Sequence, residues 1–284
     1  PDISAKFADA AIGMIELHPD KPWFCHVNFT APHDPLFIPP GIEGKYSVED
    51  IPLPENFLPV HPFDHGNFDG RDEALLAWPR TEEAVRDLLR VYYSVIEDMD
   101  AQIGRIVEAL EFRGQLDNTL IIFTSDHGMA CGSHGLRGKQ NMYEHTINIP
   151  FVMAGPGIPT GVTTDAQIYL RELYPTTCDF AGVKIPNTVT SESFASVLDF
   201  PYLPHHRDVY GYFKNTQRMV RTEDDWKLIH YPQIKEWQLF HLKNDPFETR
   251  NLAYSDDGEA KLQLLKLKEK LKAWRITLND PAEP

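Results

Sequence analysis

Apolar positions recur every three or four residues in three stretches of the chain and cluster into shorter runs between them. Ile3, Phe7, Ala10, Ala11, Met14 and Ile15 share one face of a helix predicted over 3–18. A longer series, from Val85, Leu88, Leu89 and Tyr92 to Ile106, Val107 and Leu110, holds the helical period from Thr81 to about Phe112. Thr81 followed by Glu82 and Glu83 suits its start, because a threonine cap and first-turn acids satisfy the open N–H groups and the positive end of the dipole. Gly114 ends it. The third series, Leu264, Leu267, Leu271 and Trp274, predicts a final helix over about 258–276 whose stripe docks on a sheet rather than on a membrane, despite its many lysines.

The shorter runs read as strands. Trp23–Thr30 has strand composition, follows a turn at Pro19-Asp20-Lys21-Pro22, and stops at Ala31-Pro32-His33-Asp34-Pro35. Residues 36–80 are rich in Pro and Asn without a sustained period, which predicts a long surface excursion of the kind that often flanks a substrate. Thr119–Thr124 and Ile149–Ala154 are short continuous apolar runs, as expected of strands buried on both faces in a parallel sheet. Residues 165–181 read as a strand around Ile168–Leu170 and then a helix. Beyond about 205, runs at 208–213, 217–222, 226–231 and 238–242 alternate with turns, predicting an antiparallel sheet. A helix that feeds a buried strand implies an α/β layer fold, with a boundary at the Pro201-Tyr202-Leu203-Pro204 linker that divides 1–204 from 205–284.

Composition narrows the function. The 284 residues carry 27 Lys plus Arg against 42 Asp plus Glu, a formal charge of −15, which argues against a nucleic-acid backbone binder. No run approaches the roughly 18–20 apolar residues of a transmembrane helix, so a soluble protein is expected. Cys25, Cys131 and Cys178 form no CxxC pair and no disulfide framework. The start at Pro1, with no leader-like segment, reads as a cut in a longer chain.

Candidate chemistry concentrates after the run 119–124, in Ser125-Asp126-His127-Gly128, Gly132-Ser133-His134-Gly135 and Leu136-Arg137-Gly138-Lys139. Ligands bind at the carboxyl ends of strands in open α/β sheets. Asp126 offers a hard oxygen and His127 an imidazole nitrogen, both suited to a divalent cation, although a strand-end Asp equally serves as a helix cap. Two ligands are not a shell, and Asp34, His33, His134 and His145 are candidates for the remainder. Arg137 and Lys139 supply local positive charge for an anionic group. His33, at another strand end, is placed to give a proton to a leaving oxygen.

The strings TAPHDP (30–35), TLIIFTSDHGMACGSHGLRGKQNMYEH (119–145), IPFVMAGPGIPTG (149–161) and LFHLKNDPFETRNLA (239–253) resemble the carboxy-terminal half of a type I sulfatase of the alkaline phosphatase superfamily, in order and spacing along nearly the whole chain. The resemblance implies an α/β sandwich, with a mostly parallel sheet flanked by helices and a small carboxy-terminal antiparallel sheet plus helix. It implies that Asp126 and His127 ligate Ca²⁺ or another divalent cation, as in iduronate-sulfatase-like members. It further implies that Lys139 holds a sulfate oxygen and that His33 contacts the ester near its leaving group. His134, Arg137 and His145 become candidates for the substrate pocket.

The chain also departs from the family pattern. The C/S-x-P-x-R motif, source of the formylglycine nucleophile, is absent, as is the earlier Asp-Asp pair that completes the metal site. Glu172 stands where an Asp usually precedes Pro-Thr and is expected to keep a capping role. The expectation is therefore a sulfuric ester hydrolase acting on a sulfated sugar or aryl sulfate, here a fragment inactive alone, from a periplasmic, secreted or lysosome-like setting. A phosphodiesterase or phosphonate hydrolase of the same superfamily, and a non-catalytic scaffold, remain the alternatives.

Overall fold

The first apolar stripe forms helix α1 (Ile3–Leu17), which buries Ala8, Ala11 and Ile15 and packs along the long helix α2 (Glu82–Phe112). The computed structural model describes residues 3–17 and 21–281, so the expected last helical residue His18 and the first half of the 19–22 turn, Pro19 and Asp20, lie outside the described residues. Thr81 caps α2 as predicted, its hydroxyl accepting from Ala84 N at 3.2 Å. Gly114, with φ +64°, closes the other end in the left-handed conformation that a side chain would disfavour.

After α2 the chain enters strand β1 (Ile121–Thr124), passes the Gly-rich loop and a single turn α3 (Glu144–Ile147), and returns as β2 (Phe151–Ala154). β1 and β2 pair antiparallel, Ile121 opposite Ala154 and Thr124 opposite Phe151. They are not the doubly buried parallel strands expected: Phe123 is 38% and Val152 58% exposed, and no parallel pair occurs among the described residues. A four-residue apolar run carries no directional information, so its sequence reads alike for either pairing.

Two short helices follow, α4 (Leu173–Phe180) and α5 (Ser196–Asp199). Strands β3 (Asp208–Phe213), β4 (Gln217–Thr222), β5 (Trp226–Tyr231) and β6 (Glu236–His241) then form an antiparallel sheet in chain order. Helix α6 (Gly258–Thr277), capped by Asp257 accepting from Ala260 N at 2.9 Å, covers one face of this sheet. There Ala260, Leu267 and Leu271 bury Tyr210, Val220, Trp226, Leu228 and Leu239, with Leu264 and Trp274 at the margin. The opposite face presents Met219, Ile229, Tyr231 and Phe240 to Ala130, Leu136, Met142 and Tyr143 of the Gly-rich loop. Both faces being covered, every residue of β5 is buried. The fold is α/β with a carboxy-terminal antiparallel sheet and helix, and no helix among the described residues is long and apolar enough to cross a membrane.

Three other expectations change. Trp23–Thr30 alternates in burial residue by residue, yet it carries no regular secondary structure and pairs with no strand among the described residues. Ile168–Leu170 is not a strand. Gln167 makes an isolated bridge to His206, and a 3₁₀ turn (Leu170–Glu172) leads straight into α4. The 36–80 segment is not a surface excursion throughout, since His61, His65, Asp72, Glu73 and Arg80 are all buried. Its polar composition serves interior hydrogen bonds, which sequence alone does not separate from solvent contact.

Leu267→Ala is expected to cost about 2–5 kcal/mol of stability in urea denaturation, through the cavity left against the sheet. Leu265→Ala, at a position 65% exposed on the same helix, should change it little.

Candidate active site

Strand β1 delivers Ser125-Asp126-His127-Gly128 to its carboxyl end. No helix follows, so Asp126 is not an N-cap. Asp126 Oδ1 accepts from His127 N at 2.9 Å, and its Oδ2 lies 3.4 Å from His127 Nε2 on a carboxylate that is 78% exposed. His127 Nδ1 donates to the Gly128 carbonyl at 3.0 Å, which leaves Nε2 with its lone pair beside a carboxylate oxygen. Two facing acceptors are what a cation between them would satisfy. The donor types of Asp126 and His127 fit part of the shell of a divalent ion, and two ligands alone do not complete one.

Glycine lets this loop fold back. A Cβ on Gly128 would meet the His145 carbonyl oxygen at 2.0 Å, and Gly128 N donates to Thr146 O at 2.8 Å. Ala130 N donates to Gly138 O at 2.9 Å, which returns the chain toward Lys139.

Lys139 and His33 belong to one charged network. Arg137 chelates the Asp34 carboxylate through both terminal nitrogens, with NH1 to Oδ2 at 2.9 Å. Lys139 Nζ lies 3.8 Å from Asp72 Oδ2, and Arg71 joins the halves at 2.7 Å from Asp72 and 3.6 Å from Asp34. His33 Nδ1 donates to the carbonyl of its neighbour Asp34 at 2.8 Å, so Nε2 is the ring atom left for a ligand. Burial alone would raise the Asp34 carboxyl, but the Arg137 hydrogen bonds and charge outweigh it and hold it below the usual range.

Sequence reasoning missed Glu73. It is fully buried, pairs with Arg80 at 2.6 Å, and accepts the backbone N–H groups of Arg137 at 2.9 Å and Gly138 at 2.8 Å. The signal was present in Arg71-Asp72-Glu73, a charge cluster inside a Pro-rich stretch that reads as solvated surface. Gln140 was missed as well. Its amide donates to Asp72 Oδ2 at 2.7 Å and steadies the Lys139 partner.

The pocket candidates divide. Arg137 is committed to Asp34. His134 is buried, stacks on Tyr143 with ring centroids 3.8 Å apart, and accepts from Asn56 at 3.1 Å; burial pushes its pKa down to about 3, so the ring is neutral. His145 is likewise held neutral by burial, and neither ring nitrogen has a hydrogen-bond partner. It lines a cavity of about 260 Å³ with Asn56, Ser133, Glu144, Phe247 and Glu248. Beneath it, buried Lys227 bridges Glu144 at 2.9 Å and Glu248 at 2.7 Å, and Arg221 reaches Glu144 at 2.9 Å. The three cysteines are free; burial pushes the Cys131 thiol up to about 12 and raises that of Cys25, so neither is poised as a thiolate nucleophile, and no residue fits the formylglycine motif.

The sulfatase family model matches residues 2–183, and the model for the carboxy-terminal part of N-sulphoglucosamine sulphohydrolase matches 132–277. The chain belongs to the sulfatase family. It is 30% identical over 255 residues to an arylsulfatase of Clostridium perfringens, covering 87% of this chain and 53% of that one. It is 33% identical over 232 residues to the N-acetylglucosamine-6-O-sulfatase of Bacteroides thetaiotaomicron, covering 76% and 40%. This sulfatase chain thus spans about half the length or less of those two relatives. Among solved structures, the phosphonate monoester hydrolase SpPMH of Silicibacter pomeroyi superposes with a TM-score of 0.80 at 22% identity, covering 97% of this chain and 60% of that one. BT4656, solved with its substrate D-glucosamine-2-N,6-O-disulfate, does so with a TM-score of 0.78 at 24% identity, covering 98% and 70%. Members of the sulfatase family generally use Ca²⁺ and a formylglycine.

The Asp34–Arg137 pair sets an acid limit. Because the folded carboxyl titrates below its unfolded value of about 3.9, its stabilisation is present above that pH and is lost as pH falls through the lower folded value. Asp34→Asn should lower stability at neutral pH and flatten the further loss between about pH 4 and the acid transition, measured by denaturation at stepped pH.

Proposed function

We propose that the chain supplies the sulfate-holding and leaving-group side of a sulfuric ester hydrolase that acts on a sulfated sugar or an aryl sulfate. What carries this reading is Lys139, anchored beside Asp72 in a charged network that includes the His33–Asp34 loop, in a chain of the sulfatase family. The names of the relatives, an arylsulfatase and an N-acetylglucosamine-6-O-sulfatase, support both substrate classes. We also propose the division into 1–204, part of the catalytic α/β domain, and 205–284, the smaller sheet-and-helix unit.

Asp126 and His127 would hold a Ca²⁺, which when bound supplies Lewis acidity and charge neutralisation to sulfate oxygens. The chain's own residues have separate tasks. Lys139, held by Asp72 and itself close to Gln140, presents a fixed ammonium to a sulfate oxygen and stabilises charge as the S–O bond breaks. His33, whose Nδ1 donates to the Asp34 carbonyl, leaves Nε2 to face the ester, and in the doubly protonated imidazolium form Nε2 gives its proton to the departing oxygen. Arg137 keeps Asp34 in place and so keeps the His33 loop against the Lys139 loop. The nucleophile has no counterpart in these residues, so the 284-residue chain alone turns over no sulfate ester.

In a longer sulfatase containing this stretch and a nucleophile motif, Lys139→Ala is expected to reduce kcat/KM by about 10²–10³ with an unchanged circular dichroism spectrum. Equal activity would remove Lys139 from the mechanism, and turnover by the 284-residue chain would overturn its proposed inactivity. Parallel assays with phosphonate monoesters test the second superfamily chemistry. His33→Ala should cost more with sugar sulfates, whose alcohol needs a proton to leave, than with nitrophenyl sulfate, whose phenolate does not. A uniform loss across leaving groups would make His33 a positioning residue instead.

A further inference from the structure

Away from Lys139 and the Asp126–His127 pair, a second cluster has the chemistry of a metal site. Glu172 closes the 3₁₀ turn before α4, and His205 and His206 lie just before β3, so the cluster joins the approach to the helix with the approach to the carboxy-terminal sheet. The Glu172 carboxylate is 2% exposed. His206 Nε2 lies 2.6 Å from its Oε1, and His205 Nε2 lies 3.4 Å from its Oε2. Among the described residues this is the one group of three or more His, Cys, Asp or Glu side chains whose ligand atoms all come within 4.8 Å of one another.

The independent observation is His205. Its side chain is 9% exposed, and Nε2 faces the carboxylate without a hydrogen-bond partner. A buried imidazole nitrogen left open is costly unless something occupies it. The two rings lie 4.5 Å apart between centroids, close enough that protonating both would set like charges against each other. A divalent ion removes both difficulties, because it takes the lone pairs of two neutral rings and the charge of one carboxylate.

We propose that Glu172, His205 and His206 bind Zn²⁺. Two imidazole nitrogens and one carboxylate oxygen form an accepted zinc donor set, with a fourth position for water. Metal–ligand bonds of about 2.0–2.2 Å place tetrahedral ligands roughly 3.4 Å apart. The His205–Glu172 separation already matches, and the His206–Glu172 contact opens as the ion enters. Tyr169 N donates to Glu172 Oε2 at 2.9 Å and orients the carboxylate as outer-shell partners of metal ligands do. The Gln167–His206 bridge holds the backbone on the same side. The ion ties the sheet's entrance to the α4 layer, a structural role separate from hydrolysis.

The test uses the purified chain stripped with a chelator and titrated with Zn²⁺ by calorimetry, with melting followed in parallel. About one ion per chain and a higher Tm are expected, both lost in His205→Ala and both kept in the double variant Asp126→Asn, His127→Ala. Zinc uptake unchanged by His205→Ala, or absent at micromolar Zn²⁺, overturns the proposal. Should His205→Ala fail to fold, X-ray absorption on the zinc-loaded wild-type chain decides. Two imidazoles in the first shell support this site, whereas one or none assigns the ion elsewhere.

Discussion

The Glu73 carboxylate accepts the backbone N–H groups of Arg137 and Gly138 while pairing with Arg80, and this buried cluster sets where Lys139 emerges. Arg80 is itself fixed on its flat side by the Trp78 ring, 3.5 Å from the guanidinium carbon. A Cβ on Gly138 would lie 2.8 Å from Glu73 Oε1 and 3.1 Å from Asp72 Cβ, so the turn and the acid fit only with glycine between them. Breaking a buried pair by removing one partner costs about 3–5 kcal/mol because the other charge stays in low dielectric. The Lys139 loop is thus positioned from beneath by a segment whose regular secondary structure is limited to short 3₁₀ turns such as Glu73–Leu75.

The carboxy-terminal sheet completes the support from another side. Its alternating faces divide the work: Val220 and Leu228 meet α6, while Met219 and Ile229 meet the loop that carries Leu136 and Met142. A substitution at β5 is therefore felt both by the helix and by the candidate site. The four strands and α6 were legible from the sequence because each has a turn signal and a period long enough to read. The stripe Leu264, Leu267, Leu271, Trp274 docks where its spacing puts it.

Legibility failed where local sequence does not encode the partner. Trp23–Thr30 has the composition and the alternation of a strand, but alternation says nothing about whether a neighbour is present to pair. Thr119–Thr124 is apolar enough for either sheet direction. Of the candidate residues, the Asp126-His127 dipeptide, Lys139 and His33 stood out through residue type, position and the family resemblance, whereas Glu73, Asp72 and Gln140 did not. Their roles depend on contacts with residues more than sixty positions away, such as Gln140 to Asp72, and a charged triplet between prolines looks the same whether it faces water or a core.

The ionic network around Lys139 has a further consequence for capture. Arg71, Arg137 and Lys139 stand against Asp34 and Asp72, three cations to two anions, an excess of one positive charge within 284 residues of net charge −15. At low ionic strength the diffuse negative field of the whole surface extends far into solvent and turns an approaching polyanion away. At physiological salt the Debye length is about 8 Å, so the distant acids fade while the local excess still acts at contact. For the anionic ester proposed above, added salt should therefore quicken, up to a point, its encounter with this chain, the reverse of the usual effect on a positively charged binding surface.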